Sequence, residues 1–179
     1  MGYIYDLVER IKAENFSSDP YELCENYGVR IKISNDIYDL CGMFTFVVDT
    51  PCIIINGNLH ERVQKLVCAH ELGHFFLHSD IAKEKCLQEF EIFDMRDRTE
   101  YEANTFAAHL LIDDDELIEL LKSGRDCFLV AMILNVNPNL LNIKLSDMNR
   151  MGYSFPTSWG SSRLLSLIHI SEPTRPEPI

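Results

Sequence analysis

Residues 70–78 read His-Glu-Leu-Gly-His-Phe-Phe-Leu-His, and the spacing within this stretch constrains the fold more than any other feature of the chain. In an α-helix, residues four apart lie one turn apart on one face, so His70 and His74 point to the same side. Two imidazoles so placed are able to bind one metal ion, and Glu71 between them lies beside that ion without binding it. Apolar residues between positions 59 and 67 fall on or near the same face. The sequence therefore predicts a helix whose metal-binding face continues into a buried face.

The composition limits the kind of protein that surrounds this helix. The chain has 179 residues, 46% of them hydrophobic and 25% charged, which is typical of one globular domain with a core. Its formal net charge of -12 argues against direct binding of nucleic acid or of a membrane surface, because phosphates attract clustered lysine and arginine. An acidic surface is compatible with a basic protein partner.

The cysteines and the N-terminus indicate a cellular compartment. Six cysteines are scattered along the chain without a Cys-x-x-Cys pair, as is typical of buried free thiols. The first residues lack the basic start and apolar run of a signal peptide, and no apolar stretch is long enough to span a bilayer. We therefore expect a cytoplasmic protein that has no membrane partner.

The hydrophobic pattern predicts an α+β fold. Residues 29–33 alternate as a strand does, and two apolar runs at 43–48 and 52–55 flank a turn signal, which predicts a hairpin. Helices are expected over 3–15, after Asp19-Pro20, from Asn58 through the histidine motif, and over 99–111, 113–122, 126–135 and 138–150, with a charged connection at 79–98.

The pattern of a folded protein ends near residue 155. Residues 1–155 are predicted to form the single domain, whereas residues 156–179 resemble the translation of a sequencing adaptor. Three prolines near the end of that segment oppose regular structure. We therefore expect 156–179 to be a non-native, disordered tail without functional meaning.

A catalytic zinc site needs a third protein ligand, and two glutamates compete for that role. Glu100 shares a helix face with Ala103 and Asn104, and small residues there allow a close approach to the motif helix. Asn104 is placed to hydrogen-bond the back of a ligand histidine. Glu102 instead fits a capping box with Thr99. The pattern favours Glu100 as the third ligand and keeps Glu102 as the alternative.

The histidine motif contains two further residues of interest. His78 lies two turns beyond His70, about 12 Å along the helix axis, so both rings cannot bind one ion while the helix stays intact. We interpret His78 as a helix-end or packing residue. The metzincin arrangement is excluded because the glycine and third histidine that it requires are absent at that spacing. Gly73 is predicted to allow close approach of a neighbouring element, and the alternative is a glycine that the helix merely tolerates.

Two motifs occur in order along the chain: His70-Glu-Leu-Gly-His74 and, some twenty-five residues later, Glu100-x-x-Ala-Asn-x-Phe-Ala-x-x-Leu-Leu111. Together they resemble the ImmA/IrrE family of metallo-endopeptidases. The resemblance covers roughly residues 3–150. It implies a minimal zincin-like domain, in which a small antiparallel sheet packs on the motif helix and further helices follow towards the C-terminus.

The resemblance also implies a chemistry and a role. A Zn²⁺ ion would be bound by His70, His74 and Glu100, and Glu71 would act as the general base. Family members encoded on mobile elements are anti-repressors that cleave a helix-turn-helix repressor, so a protein substrate of that kind is the expected partner. We expect such a substrate to add as a strand to an exposed edge of the hairpin between residues 42 and 56.

Two other functions compete with proteolysis. The fold could serve as a non-proteolytic module that docks a repressor, although the presence of both ligands and base disfavours this. Residues 126–150 superficially resemble a DNA-binding helix-turn-helix. The segment 125–150, however, has three basic residues against two acidic ones, a weak basis for phosphate contacts, so plain helical packing is preferred.

Overall fold

The computed structural model describes residues 2–84, 86–89 and 97–155, and the predicted tail at 156–179 lies outside the described residues. Within the described part the chain forms a predominantly helical α+β domain with one small sheet, which confirms the predicted fold class. Its elements are, in chain order, α1 (Tyr3–Asn15), α2 (Pro20–Asn26), β1 (Arg30–Ser34), β2 (Gly42–Val47), β3 (Thr50–Asn56), α3 (Glu61–Glu84), β4 (Leu87–Glu89), α4 (Arg98–Leu111), α5 (Asp114–Lys122), α6 (Cys127–Ile133) and α7 (Pro138–Arg150).

The sheet is mixed, whereas an antiparallel sheet was predicted. Its strand order is β1-β3-β2-β4, and β2 and β3 form the predicted antiparallel hairpin. The strand β1 pairs in parallel with the far side of β3, so that Ser34 and Asn56 lie opposite each other. The segment between β1 and β2 therefore passes over the end of β3, where the Asn56 side chain donates to the Leu40 carbonyl at 2.8 Å. This pairing joins segments that are distant in the chain, and strand periodicity does not reveal it.

The hairpin edge is less open than predicted. Residues Gly42–Phe44 of β2 pair with β4. The Thr45–Val47 half of β2 pairs with β3 on one edge, and its other edge has no partner among the described residues. β4 falls within the predicted charged connection at 79–98. The structure shortens that connection from both ends, because α3 continues to Glu84 and α4 begins at Arg98.

The motif helix α3 lies against both the sheet and α4. Its contact with α4 is close because Gly73 has no side chain: a Cβ atom there would lie 3.1 Å from both Cα and the carbonyl oxygen of Ala103. The Cβ of Phe106 would be only 3.2 Å away. The prediction that Gly73 and small residues of the second helix allow close approach is therefore confirmed.

The start of α4 differs from the predicted capping box. The N-cap is Asp97, whose carboxylate accepts a hydrogen bond from the Thr99 backbone N–H at 3.2 Å. The helix consequently begins one residue before Thr99, and Glu102 is not needed at the cap. Its side chain instead contacts Arg98 and His78.

The C-terminal helices pack behind the site. α7 contacts α4, and the buried side chains of Val130, Leu140 and Leu141 belong to the core, as the packing interpretation of residues 126–150 expects. Among the described residues no single helix is both long and apolar enough to cross a membrane, and α6 and α7 satisfy those criteria only as a pair bent by 115°.

A buried ion pair joins α7 to the start of α5. Lys144 is 0% exposed, donates to the Ile112 carbonyl at 2.8 Å and forms an ion pair with Asp114. Burial lowers the pKa of Lys144, and the neighbouring Asp114 carboxylate partly opposes that effect. Removal of one partner from such a pair leaves a buried charge without compensation.

We expect Lys144→Ala to lower the free energy of unfolding by about 3–5 kcal/mol, because it leaves the Asp114 carboxylate without its cation and opens a cavity. Chemical denaturation monitored by circular dichroism measures this loss. Lys122→Ala removes an exposed lysine at the end of α5 and serves as the control, with a change within about 0.5 kcal/mol. Equal stability of Lys144→Ala and Lys122→Ala would contradict a structural role for the pair.

Candidate metal centre

Three side chains meet where α3 faces the first turn of α4. His70 Nε2 lies 3.1 Å from His74 Nε2 and 3.1 Å from an oxygen of Glu100. The other oxygen of Glu100 lies 3.4 Å from His74 Nε2. One ligand atom from each of the three residues lies within 4.8 Å of the others. The structure thus places Glu100, and not Glu102, against both rings of the motif.

The burial of the three residues is uneven. The side chains of His70 and His74 are only 2% exposed, whereas that of Glu100 is 19% exposed. Both rings come from the interior part of α3, which is covered by the sheet and by α4, and the carboxylate comes from the first turn of α4. The Glu100 side of the cluster is therefore the side from which a substrate could reach it.

Asn104 fixes the orientation of the His70 ring. His70 Nδ1 lies 3.1 Å from Asn104 Oδ1, and both side chains are buried. Since a carbonyl oxygen only accepts, Nδ1 carries the proton and donates it, which leaves a lone pair on Nε2. Asn104 lies one turn after Glu100 on α4, so one helix supplies both the carboxylate and the group that orients His70.

His74 is held in its neutral form. Burial lowers the pKa of His74 to about 4, although the nearby Glu100 carboxylate acts in the opposite direction. A neutral imidazole is the form that binds a metal ion. Two buried nitrogen atoms and one carboxylate, all converging on one point, fit a divalent cation of the zinc type, and a cation there relieves the repulsion between the lone pairs.

Glu71 is fully buried and lies beside the start of β2. A Cβ atom on Gly42 would lie 3.0 Å from Glu71 Oε1 and 2.4 Å from Val67 Cγ1, so the glycine provides the space in which this carboxylate lies. Glu71 does not belong to the His70, His74 and Glu100 cluster, in agreement with a role other than metal ligand. Sequence reasoning missed Gly42, since a glycine at a strand start carries no signal of such a contact.

Sequence reasoning also missed His78 and Glu102 as neighbours of the cluster. His78 Nδ1 lies 3.0 Å from His74 Nδ1, and His78 Nε2 lies 3.1 Å from a carboxylate oxygen of Glu102. The backbone of α3 is non-helical at His78, with φ −133° and ψ 20°. The available signal was the four-residue spacing from His74 to His78, which repeats the spacing from His70 to His74.

Comparison with known proteins finds a matching peptidase family and two similar proteins from Bacillus and a Bacillus phage. Residues 24–146 match a peptidase family described as the IrrE N-terminal-like domain. The chain is 28% identical over 143 residues to the protein named metallopeptidase ImmA of Bacillus subtilis strain 168, covering 79% of this chain and 83% of that protein. It is 35% identical over 107 residues to the uncharacterized immunity region protein 2 of Bacillus phage phi105, covering 60% of this chain and 66% of the phage protein.

The matched span includes both histidines of the motif and Glu100, and it extends over more than half of the chain. The resemblance drawn from the sequence motifs is therefore confirmed. The chain belongs to the ImmA/IrrE family of metallopeptidases, whose peptidase domain is the IrrE N-terminal-like domain.

Proposed function

We propose that the chain is a zinc-dependent endopeptidase that cleaves a helix-turn-helix transcriptional repressor and so acts as an anti-repressor of a mobile element. The observation that carries the proposal is the convergence of His70, His74 and Glu100 within 4.8 Å, with Glu71 buried on the same helix turn. A metallopeptidase family implies a metal ion, and two imidazoles with one carboxylate form a donor set typical of catalytic zinc.

Peptide hydrolysis at this site would require three roles: holding the ion, orienting its ligands and transferring a proton. His70, His74 and Glu100 would hold the ion, and Asn104 keeps the His70 ring in the orientation that binding requires. When bound, zinc supplies Lewis-acid chemistry: it polarises a carbonyl and lowers the pKa of water to about 7. Glu71 would accept a proton from the attacking water and deliver it to the leaving amine.

The negative net charge of the chain and the open edges of its sheet both support a protein as the substrate. A net charge of -12 complements a basic partner surface, and the DNA-binding surface of a repressor is basic because it neutralises phosphates. The phage relative is named for an immunity region, which supports a link to phage regulation. In the described part of the chain, no strand pairs with the edge of Thr45–Val47 that faces away from β3 or with the outer side of β4. An extended substrate could add at either edge.

Co-incubation with a small helix-turn-helix repressor, taken first from any such gene that neighbours this one, tests the proposal. The zinc-loaded chain is expected to produce two fragments whose intact masses sum to the mass of the substrate plus one water. A chelator added before mixing should prevent the reaction. An intact repressor after prolonged incubation with zinc-loaded, folded protein would contradict the proposed substrate.

A further inference from the structure

We propose that His78 and Glu102 are positioning residues for His74: Glu102 orients the His78 ring, and His78 orients the His74 ring so that its Nε2 faces Glu100. This inference rests on the proposed metal site, because it assigns a function to residues that lie behind one of its ligands. It gives His78 a role other than helix end or packing, and it gives Glu102 a role other than cap or metal ligand.

The Glu102 carboxylate determines which nitrogen atoms donate and which accept, first in His78 and then in His74. A carboxylate only accepts, so the 3.1 Å contact with Glu102 requires His78 Nε2 to carry a proton. A neutral His78 then has a lone pair on Nδ1, which lies 3.0 Å from His74 Nδ1. His74 Nδ1 must therefore carry a proton and donate it, so the accepting lone pair of the neutral His74 ring is on Nε2. That is the nitrogen that faces Glu100 at 3.4 Å.

Burial of the His74 and His78 rings makes each of their hydrogen bonds costly to lose. The side chains of His74 and His78 are 2% and 5% exposed, so water does not replace a lost partner at low cost. Glu102 is itself held by Arg98, whose Nε donates at 2.7 Å to the other carboxylate oxygen. The break in α3 at His78 coincides with the point where its ring contacts both His74 and Glu102. A regular helix is thus interrupted at the residue that connects the two helices behind the site.

The two histidines of the motif are supported differently. His70 Nδ1 contacts the neutral amide of Asn104. His74 Nδ1 instead contacts the imidazole of His78, which in turn contacts the carboxylate of Glu102. Such outer partners fix the tautomer of a ligand histidine and raise its basicity, and their removal typically lowers metal affinity about 10–100-fold. The support of His74 therefore contributes to metal affinity without contact with the ion.

Zinc affinity, measured by competition with a chromophoric chelator, tests the inference without any substrate. We expect His78→Phe, which removes both hydrogen bonds, to weaken zinc binding about 10–100-fold. His78→Gln offers one acceptor and one donor and should recover most of that loss. Glu102→Gln keeps an acceptor but removes the charge, so its loss should be smaller than that of His78→Phe, near the lower end of that range at about 10-fold. Glu119→Gln makes the same change at an exposed position of α5 and should bind zinc as the wild type does.

A spectroscopic readout separates positioning from general packing. Long-range ¹H–¹⁵N spectra of the metal-free protein should show His74 protonated at Nδ1 in the wild type and a mixture of tautomers in His78→Phe. Unchanged zinc affinity and an unchanged His74 tautomer in both His78→Phe and Glu102→Gln would overturn the inference alone. A folded wild-type protein that takes up no zinc would overturn the proposed function, and this inference with it.

Discussion

Glu71→Gln is expected to lower the rate of repressor cleavage by about 10²–10⁴-fold, the range that general acid–base catalysis contributes. The amide has nearly the shape of the carboxylate, so it occupies the same buried space beside Gly42. It accepts no proton from water at neutral pH and therefore cannot act as the base. Single-turnover cleavage with enzyme in excess measures the change without interference from product release.

The same variant separates catalysis from metal binding. Glu71 lies outside the cluster of possible metal ligands, so Glu71→Gln should bind zinc with an affinity close to that of the wild type. Glu61→Gln, an exposed position at the start of the same helix, is the matched control and should leave both rate and affinity unchanged. If Glu71→Gln relieves repression in cells as well as the wild type does, regulation occurs by docking and not by cleavage.

Local periodicity explains which parts of the site could be predicted. The positions of His70 and His74 on one face, and of Glu100 and Asn104 one turn apart on another helix, follow from the geometry of single helices. The small residues Gly73 and Ala103 also indicate that these helices approach each other, and the structure confirms the approach. The preference for Glu100 over Glu102 therefore rested on helical spacing.

The parts that were missed depend on contacts between distant segments. The parallel pairing of β1 with β3 follows from the path of the chain over the end of β3, which no local pattern encodes. Helical spacing assumes an unbroken helix, and α3 is broken at His78, so the contact of His78 with Glu102 could not be derived from that spacing. The role of Gly42 likewise depends on the packing of β2 against Glu71, a contact between segments that are distant in the chain.

Glu100→Gln is expected to weaken zinc binding by more than about 100-fold, beyond the range for residues that act from behind a ligand. The carboxylate is the only charged donor of the three residues that meet at this site, and both of its oxygens lie within 3.4 Å of an imidazole nitrogen. An amide oxygen carries no net charge and compensates a divalent ion poorly, whereas a carboxyl ligand binds such an ion in its ionised, negatively charged form. Competition titration against a chelator measures the loss.

Glu102→Gln is the decisive comparison for this prediction, because it removes the same charge from the same helix only two residues away. The carboxylate of Glu102 contacts His78 and Arg98, on the far side of His74 from Glu100. Its replacement should therefore cost much less zinc affinity than that of Glu100. The reverse order, with Glu102→Gln the weaker binder, would identify Glu102 as the third ligand and would require α4 to rotate relative to α3 when metal binds.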